Sequence, residues 1–275
     1  MTTEGEHLPA PDDERKEMGE LIGRLSGTED LDKATRGRML ARLARLLSSQ
    51  ARRAGVKGMG GGRWLSEVFA DVAPRIPVRD LETLRRHHPG LTSEALAEEL
   101  TRTAVNATTA VGAAGGALAA VQFTAPPLLL TAPAQIVAET LVVAAIETKL
   151  IAELHEAYGI QIQGGPAQRA MAHITAWAKQ RGVNPLESGS LSMGLGSAAK
   201  AALRKRLLRT LGRHMTTLGP FLTGAVAGGT LNRAATRKLA EKVREDLARY
   251  GGVKGLDHGP RKPPVLPPPG PPPAD

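Results

Sequence analysis

The pattern of apolar and charged positions divides this chain into a long uncharged middle segment and charged flanks. The 36 residues from Thr103 to Ala138 contain no Asp, Glu, Lys or Arg, whereas 23% of the whole chain is charged. The apolar pattern passes one acid, Glu139, and continues to about Ile151. Apolar surface of this extent is stable only in a protein interior or in lipid. The pattern therefore predicts an apolar, Ala/Gly-rich hairpin at the centre of the molecule.

The flanks of this hairpin have the apolar periodicity of helices. Between about Asp30 and Ala54, leucines and alanines recur at i, i+3 and i+4, while arginines occupy another face. No segment alternates apolar and polar residues over the length that a strand needs. The sequence therefore predicts an all-α protein, organised as a multi-helix bundle. Prolines and glycines separate predicted helices at residues 12–25, 30–54, 92–120, 133–158 and 166–181, with two short pieces in 63–91 and a charged helix ending near Tyr250.

Composition predicts the limits of the folded region. Residues 1–11 are acidic and residues 251–275 are rich in proline, so we expect both segments to be disordered. Between them, residues 12–62 are predicted to form charged helices that end in a glycine-rich hinge, and residues 63–250 to form the main helical domain. The N-terminus lacks the apolar core of a secretory signal, which favours a cytoplasmic location.

Residues with catalytic or metal-binding chemistry do not form a known pattern. The chain has no cysteine, which excludes disulfides, thiolate nucleophiles and cysteine-ligated zinc or iron–sulfur sites. His155 lies between Glu153 and Glu156, but the spacing matches neither the Glu-x-x-His pair of di-iron bundles nor the His-Glu-x-x-His zinc motif. No phosphate-binding glycine loop follows a predicted strand. We therefore predict a protein that is not an enzyme and that needs no cofactor or metal.

Positive charge is concentrated in two blocks of this chain, whose net charge is +9. Residues 188–240 contain nine cations and no acid; so do residues 33–66, although the ten acids of the first 32 residues partly offset the latter. Such blocks favour membrane headgroups as a partner over nucleic acid, for which base-stacking aromatics and a recognised module are missing. The alternative is an ordinary solvated helix face. The residues predicted to face an anionic surface are Lys200, Arg204, Lys205, Arg206, Arg209 and Arg213.

Glycines four residues apart occur at two places. They are Gly112 and Gly116 in the hairpin, and Gly224 and Gly228 in a later glycine-rich stretch. This spacing gives a helix a flat strip on which another helix backbone can approach closely, in a membrane or in a soluble bundle. We expect Gly224 and Gly228 to be buried against another helix, with no room for a side chain larger than a methyl group. The alternative is a flexible surface turn.

Glu139 is expected to be the one ionisable residue in the apolar core. An unpaired carboxylate there would be strongly destabilising or would have a raised pKa. One hypothesis is a proton relay or a ligand site. The favoured hypothesis is structural, with the carboxylate paired to a cation or to backbone donors at the mouth of the bundle, because buried charges are usually paired.

Two segments resemble the EcsC family of bacterial helical proteins. Residues 218–246 resemble its closing motif, in which a proline is followed by a glycine-rich turn, an asparagine and an amphipathic helix. The hairpin ends at Tyr158-Gly159, as the central segment of that family does. The resemblance covers about residues 92–246 and implies an all-helical bacterial protein associated with membranes, without a known reaction. The residues that carry the match in the closing motif are Pro220, Gly224, Gly228, Gly229 and Asn232.

Together these observations predict a non-enzymatic, all-α bacterial protein that binds peripherally to the cytoplasmic face of the membrane. Its basic helices would meet lipid headgroups, and its hairpin would pack in the core or enter the leaflet. The alternative is a soluble cytoplasmic interaction module whose proline-rich tail or basic face binds protein partners. The sequence determines neither the oligomeric state nor the physiological role.

Overall fold

The computed structural model describes residues 11–27, 31–59, 63–124, 132–160, 162, 164–180 and 223–250. Regular structure within these residues is helical, with one short 3₁₀ turn at Ala73–Arg75 and no strand. The prediction of an all-α fold is confirmed. Of the two predicted disordered ends, residues 1–10 and 251–275 lie outside the described residues, whereas Pro11 is the first residue of a helix, where disorder is predicted. The α-helices, in chain order, are α1 (Pro11–Gly27), α2 (Lys33–Met59), α3 (Arg63–Val72), α4 (Leu81–His87), α5 (Ser93–Thr124), α6 (Ala132–Ala157), α7 (Pro166–Gln180) and α8 (Thr223–Tyr250).

Local chemistry sets several helix ends. At the start of α4, the Asp80 carboxylate accepts a hydrogen bond from the Thr83 backbone N–H at 2.8 Å, which is an N-cap. This hydrogen bond lowers the pKa of Asp80 below its ordinary value. At the end of α6, Gly159 has a φ of 67°, and the Ile160 N–H donates to the His155 carbonyl at 2.9 Å, as in a Schellman cap. The predicted helix end at Gly159 is therefore found.

Two helices are longer than the glycine pattern predicts. α2 continues through Gly55 and Gly58 to Met59, where the sequence predicts a hinge from residue 55 onward. α8 begins at Thr223 and includes the glycine-rich stretch that is predicted to precede it. Glycine inside a helix costs about 1 kcal/mol relative to alanine. That weakens a helix without ending it, unless the glycine adopts a positive φ. The described glycines with a positive φ are Gly90, Gly159 and Gly164.

α6 is the central helix of the bundle. Every residue from Ala138 to Leu154 is buried, because α1, α2, α4, α5, α7 and α8 pack around this helix. The core therefore joins the helices of residues 12–62 to those of residues 63–250. Large apolar side chains that reach it from the surrounding helices include Ile22, Leu43, Leu100, Trp177 and Leu239.

The second arm of the apolar hairpin is thus enclosed by protein. Over residues 138–154, neighbouring helices cover α6 on all sides, so this part of the hairpin packs in the core. Among the helices that the structure describes, none is both long enough and apolar enough to cross a bilayer. The tip of the hairpin, residues 125–131, lies outside the described residues.

Acids of α1 neutralise part of the basic block on α2. Arg42 donates two hydrogen bonds to Glu17, at 2.7 and 2.8 Å, and Arg53 binds the carboxylate of Glu14. The hydrogen bond from Arg42 lowers the pKa of Glu17 below its ordinary value. Arg36, in the same block, is buried. This block is therefore partly used inside the fold, and α2 presents fewer cations to an external partner than its sequence predicts.

Candidate functional site

Antiparallel packing of α5 against α8 brings together residues that are far apart in sequence. Gly112 of α5 meets Gly228 of α8, whereas Glu94 near the start of α5 meets Arg244 near the end of α8. α6 also runs antiparallel to α5, so the three helices form one unit with two distinct ends. The glycine end consists of Thr108, Gly112, Gly115, Glu139, Gly228 and Asn232. The clamp end consists of Glu94, Glu98, Tyr158 and Arg244.

At the glycine end, the backbones of α5 and α8 are in direct contact. A Cβ atom placed on Gly228 would lie 2.7 Å from the Gly112 carbonyl oxygen, and one placed on Gly112 would lie 2.6 Å from the Gly228 carbonyl oxygen. Real Cβ atoms essentially never approach another heavy atom closer than 3.0 Å. The close approach that the glycine spacing predicts is therefore present. It is closer than predicted, because even a methyl group does not fit at either position.

The carboxylate of Glu139 lies beside this contact. Its side chain packs against Gly115, where any Cβ atom would collide with the carboxylate. The Asn232 side-chain amide lies 3.5 Å from the Glu139 carboxylate and donates to the Thr108 carbonyl at 3.2 Å. The sequence predicts a cation or backbone donors as partners for Glu139. From α8, the described donor is a side-chain amide, that of Asn232.

Two further carboxylates are buried on α6, so the expectation that Glu139 is the one ionisable residue in the core is wrong. Glu147 is 0% exposed and accepts hydrogen bonds from Trp177 Nε1 and Thr236 Oγ1, both at 2.9 Å. Glu153 accepts from Arg79 Nε at 2.8 Å and from Lys149 Nζ at 2.6 Å. Burial raises the pKa of Glu153, but these two cations more than offset it and hold the pKa below its ordinary value.

The clamp end is held by charge rather than by close packing. Arg244 binds both Glu94 and Glu98, and the Tyr158 hydroxyl donates to Glu94 Oε2 at 2.7 Å. The hydrogen bond from Tyr158, together with Arg244, lowers the pKa of Glu94. Burial, together with Glu94, raises the pKa of Tyr158. The sequence predicts Tyr158 only as part of a helix end. Its hydrogen bond to Glu94, which also binds Arg244, is not predicted.

A pair of histidines lies between α6 and α7. The rings of His155 and His173 meet edge to face with centroids 5.5 Å apart, and His155 Nδ1 lies 2.7 Å from the Ile151 carbonyl oxygen. Burial, together with His155 and Arg169, lowers the pKa of His173 to about 4. The sequence singles out His155 but not His173. In the part of the chain that the structure describes, no cluster of three or more His, Asp or Glu residues could hold a metal ion.

The predicted site residues therefore fall into three groups. Gly112, Gly228, Asn232 and Glu139 meet at the glycine end, next to Gly229, where a Cβ atom would lie 3.3 Å from the Thr109 carbonyl oxygen. Tyr158 and Gly159 lie near the clamp end; Gly116 is buried in α5, and Gly224 lies in the first turn of α8. The remaining predicted residues lie outside the described ranges: Pro220, Lys200, Arg204, Lys205, Arg206, Arg209 and Arg213.

Comparison with known proteins gives no relative. No family model matches the chain, and no curated protein matches it. A solved structure from work on the computational design of self-assembling cyclic protein homooligomers aligns with 87% of this chain and 95% of its own, at 14% identity and a TM-score of 0.16. A TM-score this low carries no argument about fold or function. The resemblance to the EcsC family therefore stays a prediction from the sequence.

Proposed function

We propose that this protein binds peripherally to an anionic membrane surface on the cytoplasmic side, through the glycine end of its helical unit. Chain topology is the observation that supports this proposal. Because α5 runs antiparallel to α6 and α8, the C-terminus of α5 at Thr124 and the N-termini of α6 at Ala132 and α8 at Thr223 belong to the same end. The uncharged hairpin connection and the acid-free basic segment that precedes α8 are therefore both joined to the bundle there.

The first half of α8 supports the same orientation. Arg233, Arg237 and Lys238 are exposed, and Leu231 beside them has 45% of its surface exposed. The first acid of this helix is Glu241, so its outer face is basic toward the glycine end and mixed toward the clamp end. Cations near an anionic leaflet contribute about 1 kcal/mol each to binding, and an exposed leucine among them suits the headgroup boundary.

The fold also limits which parts of the chain could contact lipid. α6 is enclosed by protein over residues 138–154 and has no surface there to offer to a leaflet. Part of the basic block on α2 is paired with acids of α1, such as Glu17 with Arg42. The proposed contact therefore rests on the glycine end and the basic segment that leads into α8, and not on insertion of the whole hairpin.

Flotation with lipid vesicles tests the proposal. Vesicles of phosphatidylcholine alone are compared with vesicles that also contain phosphatidylglycerol, at low and high salt. We expect flotation only with the anionic vesicles, and release at high salt, because ions screen exposed charges. Absence of flotation with anionic vesicles at low salt, with the protein recovered in the soluble fraction of a low-salt lysate, would reject the proposal and favour the alternative interaction module.

A charge-matched pair of variants locates the contact. The first variant carries Arg233→Gln, Arg237→Gln and Lys238→Gln on the first half of α8. The control carries Arg15→Gln, Lys16→Gln and Arg24→Gln, which remove three exposed cations from α1. We expect the α8 variant to require lower salt for release than the control, since both have the same net charge and only one is changed on the basic first half of α8.

A further inference from the structure

A cavity of about 380 Å³ lies between the 3₁₀ turn after α3, α6 and α7. It would hold on the order of ten water molecules and falls within the usual range of small-molecule sites. Alanine, proline, isoleucine and valine side chains form its apolar walls. Exposed residues at its rim, such as Pro74 and Val78, leave it accessible from solvent. Its polar lining consists of Arg79, Asp80, Thr148, Glu156, Arg169 and His173.

Two polar atoms of this lining are buried without a hydrogen-bond partner, namely Thr148 Oγ1 and His173 Nδ1. Buried polar groups in native proteins are nearly always hydrogen-bonded, so each such atom calls for an explanation. Some threonines of the bundle bond to the carbonyl four residues earlier, as Thr101 does to Ala97 at 2.7 Å and Thr175 does to Met171 at 2.8 Å. Thr140, which does not line the cavity, also has a buried hydroxyl without a partner. Thr148 makes no such bond, although it is only 4% exposed. Neither atom has solvent contact in the open cavity, so each could bond to a molecule there only after its side chain rotates.

Some charged residues of the lining already bind other parts of the protein, whereas others form no ion pair. The Asp80 carboxylate caps α4, and Arg79 binds Glu153. Arg169 and Glu156 form no ion pair with any residue in the described ranges. His173 adds no charge at neutral pH, because burial, His155 and Arg169 lower its pKa to about 4. The cavity thus offers one cation and one carboxylate, a balance that disfavours a ligand with net charge.

We propose that this cavity binds a small zwitterion of the amino-acid type. Arg169 would bind its carboxylate and Glu156 its ammonium group, while Thr148 and His173 would hydrogen bond to its polar atoms. The apolar walls would contact its side chain. This proposal is independent of membrane binding, because the cavity involves none of the residues of the glycine end.

Thermal unfolding in the presence of the twenty free L-amino acids, each at the same concentration, tests this proposal. A ligand that binds only the folded state raises the midpoint of unfolding. We expect at least one amino acid to raise it by several degrees, and the N-acetyl and carboxamide derivatives of that amino acid to have no effect, because each lacks one of the two charges. A protein that responds to none of the twenty, or that responds equally to the N-acetyl derivative, overturns the proposal.

Calorimetric titration with the amino acid so identified locates the site. We expect Arg169→Gln and Glu156→Gln each to weaken binding at least tenfold. Arg85→Gln is the control, because Arg85 is exposed on α4 and does not line the cavity. Thr148→Val, which keeps the volume of the side chain, provides a further variant should either of the first two unfold, and it is expected to weaken binding several-fold. Unchanged affinity in the folded variants would place the ligand elsewhere and overturn the proposal.

Discussion

The two ends of the α5–α6–α8 unit show two different ways to join the same helices. At the glycine end, α5 and α8 touch through their backbones, and a Cβ atom on Gly228 would lie only 2.7 Å from the Gly112 carbonyl oxygen. At the clamp end, Arg244 joins the helices through two carboxylates whose side chains are 65% and 56% exposed. The first joint depends on shape, whereas the second depends on charge and has carboxylates that are open to solvent.

This difference predicts different sensitivities. Packed interiors do not tolerate added volume, because neighbouring atoms have nowhere to move. Exposed ion pairs contribute about 0–1 kcal/mol and weaken in salt. The glycine end should therefore respond to changes in side-chain size at any ionic strength. The clamp end should respond to changes in charge, and only at low ionic strength.

The largest effect is expected from Gly228→Leu. A leucine must displace the Gly112 backbone, so we expect the free energy of unfolding to fall by about 1–3 kcal/mol or more. Gly228→Ala should also destabilise the fold, by a smaller amount, because even a methyl group collides with a backbone oxygen. Urea unfolding of both variants measures the two changes.

Gly37→Ala is the matched control for these glycine variants. Gly37 also lies within a helix, but a Cβ atom there would meet nothing within 4 Å. Alanine at this position should leave stability unchanged or raise it by up to about 1 kcal/mol, since the unfolded chain loses freedom. Equal effects of alanine at positions 37 and 228 would show that the backbone contact between α5 and α8 is not a tight one.

Asn232→Ala is expected to have the next largest effect at the glycine end. Asn232 is 3% exposed, and its amide faces both the Glu139 carboxylate and the Thr108 carbonyl. Removing a buried donor costs about 1–3 kcal/mol, since the acceptors it leaves behind remain desolvated. Thermal unfolding measures the loss. Lys242→Ala, on an exposed residue of the same helix, provides the comparison, and an equal loss in both variants would contradict the role assigned to Asn232.

His173 lies at neither end and gives the fold a separate pH dependence. Its pKa falls from 6.5 in the unfolded chain to about 4 in the fold, because of burial, His155 and Arg169. Below pH 6.5 the unfolded chain therefore takes up a proton on His173 before the folded chain does. The stability that neutral His173 contributes is complete above this pH and is lost as the pH falls toward 4. The expected loss is about 1–2 kcal/mol, allowing for the partial exposure of the ring.

Stability curves between pH 7 and pH 4 measure this dependence. We expect His173→Gln to reduce its slope, while His87→Gln, on an exposed histidine at the end of α4, keeps it. If the wild type and His173→Gln lose stability in parallel as the pH falls, the burial assigned to His173 is wrong. The measurement also separates this contribution from that of Glu94, whose lowered pKa makes the clamp end lose stability at a lower pH.

The smallest effect is expected from Arg244→Gln at the clamp end. The variant removes the cation that joins Glu94 and Glu98, and we expect a loss of about 1 kcal/mol or less at low salt. This loss should shrink in concentrated salt, whereas the loss in Gly228→Leu should not. Urea unfolding of both variants at two salt concentrations tests the comparison. A salt-independent loss in Arg244→Gln would show that the clamp end is held by packing after all.

The sequence predicts that the glycines make a close helix contact, but it does not predict which helix they contact. Glycines four residues apart predict a close helix contact, and the structure has one. The contact between Gly228 and Gly112 could not be predicted from the sequence, because the two residues are more than a hundred positions apart. Every helix here has an apolar face and could have been the partner. Asn232 is likewise recognisable as part of a motif, but its contact with Glu139 depends on how α8 crosses α6.

The buried carboxylates could not be predicted for a related reason. Glu147 and Glu153 lie in a segment with the ordinary charge spacing of a surface helix. They are buried because six helices contact α6, so that no side of it remains for exposed charged residues. Their partners, Trp177 for Glu147 and Arg79 for Glu153, come from other helices or the segment before α4. Such pairing depends on the tertiary arrangement and leaves no local signal.

The orientation of this unit on a membrane is the central claim, and site-specific labelling tests it most directly. Because the chain has no cysteine, a fluorophore sensitive to polarity can be attached at a single introduced cysteine. Ala117 and Ala95 are both exposed on α5, and a rise of about 1.5 Å per residue separates them by roughly 33 Å. We predict that anionic vesicles shift the emission of the label in Ala117→Cys, near the glycine end, and leave that in Ala95→Cys unchanged. A response in Ala95→Cys alone, equal responses in both, or no response in either would contradict the account.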